Sequence, residues 1–147
     1  MDDIQHFAKL IKKTKFAMMT TVSDEDGSLQ SRPMSLQEAE FDGNLWFFTR
    51  KSSALVRQIN HNSKVNLAFS NIENNSYVSA SGPGEMLVDH QKAKELWNPF
   101  LKAWFPEGLE DPELCLIKVT VESADYWESA AAPLVKTCRI CKSYFDR

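Results

Sequence analysis

The stretch Leu45-Trp46-Phe47-Phe48-Thr49-Arg50-Lys51-Ser52-Ser53 decides how the rest of the chain reads. Four large apolar residues in a row fit a strand buried on both faces, or buried on one face and lying against a flat ligand. The run then changes abruptly to a hydroxyl, two cations and two more hydroxyls. A helical pattern follows, with Leu55, Val56 and Ile59 on one side and Ser52 or Ser53 at the N-cap. Hydroxyls and cations at a helix N-terminus suit a phosphate, because free N–H groups and the positive end of the dipole already point there. The same residues also fit a capped surface helix with two solvated cations, and this segment alone does not separate the two readings.

Working outward, Asp42-Gly43 marks a tight turn just before this strand. Earlier, Phe16 to Val22 and Ser28 to Met34 read as a hairpin around Asp24-Glu25-Asp26-Gly27. A helix from Asp3 to about Lys13 precedes it, with Ile4, Phe7, Ala8 and Ile11 on one apolar face. Downstream, Lys64 to Phe69 alternates, with Val65, Leu67 and Phe69 on one face. Tyr77 to Ser81 and Glu85 to Val88 read as one strand, bent or bulged at Gly82-Pro83-Gly84. Asp89 opens a helix to about Ala103, and Leu114 to Val121 and Ala124 to Trp127 complete the sheet. About six strands in antiparallel sequence, with few helices, predict a mainly β fold. A small Greek-key-type barrel is favoured, since closure removes exposed edges. An open α+β sheet is the alternative.

At 147 residues the chain fits one domain over 1–147, with 139–147 as a loose C-terminal tail. A net charge of -3 and the lack of a basic stripe argue against nucleic acid. No apolar run approaches the ~20 residues of a membrane span, and Met1 to Gln5 lacks signal-peptide features, so a cytoplasmic location is expected. Three cysteines, an odd number, make a disulfide framework a poor expectation. Cys115, within Leu114-Cys115-Leu116-Ile117, reads as a small core residue. Cys138-Arg139-Ile140-Cys141 lacks the second pair a structural zinc site needs, so no metal is expected. Asp24, Glu25 and Asp26 sit in a turn and read as solvated carboxylates. No nucleophilic arrangement stands out, and the catalytic residues are left unassigned.

Three segments carry a resemblance: Ser31-Arg32-Pro33-Met34, the opening stretch, and the run from Leu96-Trp97-Asn98-Pro99 through Ala103-Trp104-Phe105-Pro106-Glu107-Gly108 and Asp111-Pro112 to Tyr126-Trp127. In order and spacing the chain resembles the general stress protein 26 branch of the pyridoxamine 5'-phosphate oxidase-like, flavin mononucleotide (FMN)-binding split-barrel family. The resemblance implies a homodimer of split barrels with FMN, or flavin adenine dinucleotide (FAD), in clefts at the subunit interface. It implies a small-molecule ligand and either a flavin-dependent oxidoreductase or a protein that binds or sequesters flavin without turnover. Pyridoxamine 5'-phosphate oxidase activity itself is not expected, because the tail lacks the Arg-x-His type ending. Carried over residue by residue, Arg32 would approach the phosphate and ribityl chain, and Pro33 and Met34 would supply backbone beside the ring. Phe48 and Thr49 would lie against the flavin, Ser53 would open the phosphate turn with Ser52, and Trp127 would reach the cofactor, from the partner subunit in one arrangement. One departure stands out. The family places a lysine two residues after the serine, and here that position is Leu55. Arg50 and Lys51 are the candidate substitutes, and Leu55→Lys is expected to restore the missing cation. A lost charge-assisted contact costs ~1.5–3 kcal/mol, one to two decades of affinity.

Overall fold

The computed structural model describes residues 3–128 and, as backbone, 136–139. Helix α1, Asp3–Lys12, buries Phe7, Leu10 and Ile11. Strands β1, Phe16–Val22, and β2, Leu29–Ser35, form the expected hairpin, with Phe16 opposite Ser35 and Val22 opposite Leu29. The turn closes on Gly27 at φ +75, while Asp26 accepts hydrogen bonds from the Ser28 N–H and hydroxyl. Alternation along β1 puts Ala17, Met19 and Thr21 inside and Phe16 and Met18 outside.

Strand β3, Asn44–Arg50, is buried on both faces, as its apolar run requires. Leu45 and Phe47 enter the main core, whereas Trp46 and Phe48 enter a second cluster on the opposite face. Helix α2, Ala54–His61, starts at Ser53, whose hydroxyl accepts from the Val56 N–H at 3.3 Å. Strands β4, Lys64–Asn71, and β5, Ser76–Leu87, follow as a second hairpin. After α3, His90–Leu96, come β6, Leu114–Thr120, β7, Ser123–Trp127, and β8, Lys136–Arg139.

All pairings are antiparallel, in the order β2-β1-β4-β5-β6-β3, with β7 on β5 and β8 on β7. The path curls until its ends approach, and just past β2 the Gln37 N–H donates to the Trp46 carbonyl of β3 at 3.1 Å. The result is a split barrel, mainly β with three α-helices among the described residues, rather than an open α+β sheet. β5 makes the curl possible. It pairs β4 and β7 over Tyr77–Ser81, then crosses to β6 from Gly84 onward. The expected bend at Gly82-Pro83-Gly84 is therefore a change of partner within one continuous strand. At Gly82 an added Cβ would lie 1.8 Å from the Thr120 carbonyl oxygen, so only glycine allows the crossing.

One expectation needs correction. The helix opening at Asp89 stops at Leu96 instead of reaching Ala103. Pro99 disfavours helical backbone at Asn98, which sits at φ -138 and caps a separate 3-10 turn over Pro99–Ala103. Lys136–Arg139 pairs with β7, and residues 140–147 of the expected tail fall outside the described residues. Of the CxxC pair, Cys138 lies in this strand, and Cys141 falls outside the described residues. Cys115 is buried, and burial pushes its thiol up to about 11, which fits a core role.

Candidate functional site

The most distinctive polar arrangement joins edge strand β2 to helix α2. Thr21 continues the inward face of β1 and is 1% exposed. Gln58 sits on the same side of α2 as Leu55 and Ile59 and is 2% exposed. Arg32 reaches between them from β2. Its Nη1 donates to the Thr21 hydroxyl at 2.9 Å and to the Met19 carbonyl at 3.3 Å, and its Nη2 donates to Gln58 Oε1 at 2.9 Å. Thr21 in turn donates to Gln58 Oε1 at 2.5 Å, and Gln58 Nε2 donates to Gln30 Oε1 at 2.6 Å.

All three acceptors of Arg32 are neutral, and no carboxylate pairs with it among the described residues. Burial lowers its pKa below the ordinary value, yet arginine stays charged at neutral pH. A half-buried cation without a counter-ion favours an anionic ligand. Five N–H donors against three contacts leave two over, enough for a bidentate grip on a phosphate.

The strand-to-helix turn is arranged differently. The Thr49 hydroxyl donates to Ser53 Oγ at 3.3 Å, so Thr49 and Ser53 are brought together at the head of α2. Ser52 is already engaged, because its N–H and hydroxyl both donate to Glu113 Oε2, at 3.0 and 2.7 Å. These two bonds, hydroxyl first, together with nearby Arg50 and Lys51, hold the Glu113 carboxyl below its usual range. An internal carboxylate thus fills the anion position that the sequence suggests for a phosphate at Ser52.

The remaining expected residues divide by face. Pro33 and Met34 lie on β2 beside Arg32, with Met34 packed against the main core. Phe48 packs under Trp97 and Phe105, at ring distances of 6.0 and 6.4 Å, and Arg50 donates to the Trp104 carbonyl and lies over Phe105. Phe48 and Arg50 therefore occupy the face of β3 opposite Thr49. Arg50 is engaged beside the second cluster whereas Leu55 lies in the main core, and Lys51 is exposed at the turn. Leu55 is 3% exposed within the main core, so a lysine there would bury its ammonium rather than simply restore a cation. Trp127 is separated from β2 by β1, β4 and β5 in the same sheet. Thr21, Gln58 and Glu113 escape a reading of the sequence as motifs. The available signal was a polar residue on an apolar face, at Gln58 between Leu55 and Ile59 and at Thr21 after Ala17 and Met19.

The outer face of the sheet offers a second feature. An open cavity of about 660 Å³ lies over Thr20, Asn66, Ser81, Ser123 and neighbouring residues. None of the residues expected from the sequence lines it.

Fold and edge-strand arginine together define a split-barrel protein. The chain matches the family model for pyridoxamine 5'-phosphate oxidase-like proteins over residues 2–147, and it belongs to that family. Among solved structures it is similar to the general stress FMN/FAD-binding protein of Xanthomonas citri, with 30% identity and a TM-score of 0.75, over 93% of this chain and 96% of that one. A protein of Clostridium acetobutylicum related to general stress protein 26 shares the fold at 20% identity and TM-score 0.76, over 97% and 96% of the two chains. Protein bli-3 of Neurospora crassa is 31% identical over 132 residues, or 84% of this chain. That match spans 63% of bli-3, less than two thirds of its length.

Proposed function

We propose that this chain binds FMN where β2 meets α2, beside Arg32, and serves as a flavin-dependent oxidoreductase. The observation that carries the reading is the half-buried Arg32 guanidinium, held by neutral acceptors with N–H donors to spare. The 30% identity to an FMN/FAD-binding protein supports the same ligand class. The phosphate would meet Arg32, and the hydroxyls of Thr49 and Ser53 would line the approach at the head of α2. The backbone of Pro33 and Met34, on the edge strand, would flank the ring. Bound flavin supplies hydride or single-electron transfer, while the protein contributes binding, orientation and exclusion of water.

The second copy that the family resemblance implies would dock on the outer face of the sheet. Phe16, Met18 and Leu29 are 62%, 44% and 74% exposed there, an unusual concentration of bare apolar side chains. Register places Trp127 on the same face, since it lies opposite Tyr77, as Tyr77 lies opposite Ser70. Trp127 would then reach a flavin from the partner subunit.

A second reading, flavin binding without turnover, is favoured by one observation. Thr21, Arg32, Thr49, Ser53 and Gln58 include no group that exchanges a proton near neutral pH. Titrating cofactor-free protein with FMN, followed by flavin fluorescence, tests binding itself. Saturable quenching at one site per chain supports the site, and no quenching at high micromolar flavin rules it out. Anaerobic bleaching of the bound flavin by a reduced nicotinamide supports the oxidoreductase, whereas flavin that stays oxidised leaves the binding protein.

A further inference from the structure

We propose that Gln58 is a positioning residue that sets the preference for a phosphorylated flavin, by aiming Arg32 while leaving its charge uncompensated. The inference rests on the proposed contact between Arg32 and the flavin phosphate. Arginine has no acceptor, so the atom of Gln58 facing Nη2 is the carboxamide oxygen. That oxygen receives a second hydrogen bond from Thr21, whose own hydroxyl accepts from Nη1. Arg32, Thr21 and Gln58 thus close a ring of three hydrogen bonds. The Met19 carbonyl contact to Nη1 ties the ring to β1. On the far side, Gln58 Nε2 is fixed by Gln30, which stops the carboxamide from turning over.

The choice of an amide over a carboxylate at this position has a chemical consequence. Glutamate is nearly the same shape and would accept the same two hydrogen bonds. It would also form a half-buried ion pair with Arg32 and cancel the charge that a phosphate needs. Glutamine gives the geometry without the neutralisation. Because α2 carries both Gln58 and the Ser53 cap, the arginine and the head of the helix are held in one frame.

The test compares FMN with riboflavin, which shares the ring and lacks the phosphate. The ratio of the two dissociation constants is measured for the unaltered chain, Arg32→Ala, Gln58→Glu, Gln58→Met and the double variant Arg32→Ala/Gln58→Met. A general loss of stability weakens both ligands and cancels in the ratio. The expected result is a preference for FMN of at least tenfold, lost by about that factor in Arg32→Ala and in Gln58→Glu and reduced in Gln58→Met. No further loss is expected when Gln58→Met is added to Arg32→Ala. Gln58→Glu and Gln58→Met variants that keep the full preference, while Arg32→Ala loses it, would overturn the role of Gln58 and leave the phosphate contact standing. An Arg32→Ala variant that keeps the preference, or an unaltered chain that shows none, would overturn both. Thr21→Val removes another side of the ring and provides an independent variant should the Gln58 variants fail to fold. It is expected to lower the preference, and an unchanged ratio would count against the ring.

Discussion

Arg32 keeps its charge available because Thr21, Gln58 and the Met19 carbonyl hold it without neutralising it. Arg32→Ala is expected to weaken FMN binding by one to two decades, the loss of a charge-assisted contact worth ~1.5–3 kcal/mol. Fluorescence titration reads this directly. Leu55 teaches the opposite lesson. Its place among core side chains means that Leu55→Lys should destabilise the fold by ~2–5 kcal/mol, through lost packing and a buried ammonium, as measured by urea unfolding. Glu113 gives a pH signature. Its carboxyl is held low in the folded state, chiefly by the Ser52 hydroxyl and N–H. The stabilisation is therefore present above the unfolded carboxylate pKa, ordinarily 4.5, and is lost as pH falls through the lower folded value. Glu113→Gln should lose less thermal stability on acidification from about pH 7 to about pH 3 than the unaltered chain. Asp26, also held low by Ser28, leaves some acid dependence in place.

At the scale of elements, the strand that changes partners is the sensitive point. β5 approaches β6 so closely at Gly82 that a methyl group would meet the Thr120 carbonyl oxygen at 1.8 Å. Gly82→Ala should cost ~3 kcal/mol or more, since the obstacle is backbone rather than a mobile side chain, and thermal unfolding would show it. Helix α2 was legible because its cap and apolar stripe are local. Ser53 precedes Leu55, Val56 and Ile59 at helical spacing. The stop at Leu96 was harder to see because Lys92 to Leu96 and Phe100 to Lys102, on either side of the break, are each compatible with a helix by composition. The proline and asparagine at 98–99 decide the boundary.

For the whole molecule, the outer face of the sheet sets the expectation. Phe16, Met18 and Leu29 lie bare on a surface that also carries Trp127 and the open cavity. Met18→Glu should shift a dimer toward monomer in sedimentation. If Trp127 reaches across the interface, flavin affinity should fall with it. A chain that sediments as a monomer before substitution would remove the partner from the site. The described helices include none long and apolar enough to cross a membrane.

Sequence alone determined the β-rich pattern, the apolar run of β3, the capped helix after it and the arginine on the second strand. Each of these depends on neighbours within a few residues, where alternation, caps and turns act. Only the tertiary structure decided what those residues face. It placed Gln58 and Thr21 around Arg32 across separations of 26 and 11 residues, and Glu113 against Ser52 across 61. Hydrogen bonds between distant segments depend on strand order and curl, which local patterning leaves open. Alternation along β3 already turns Phe48 and Arg50 to one face and Thr49 to the other, but only the packed structure decided that the first face lies against Trp97 and Phe105 and the second against Ser53.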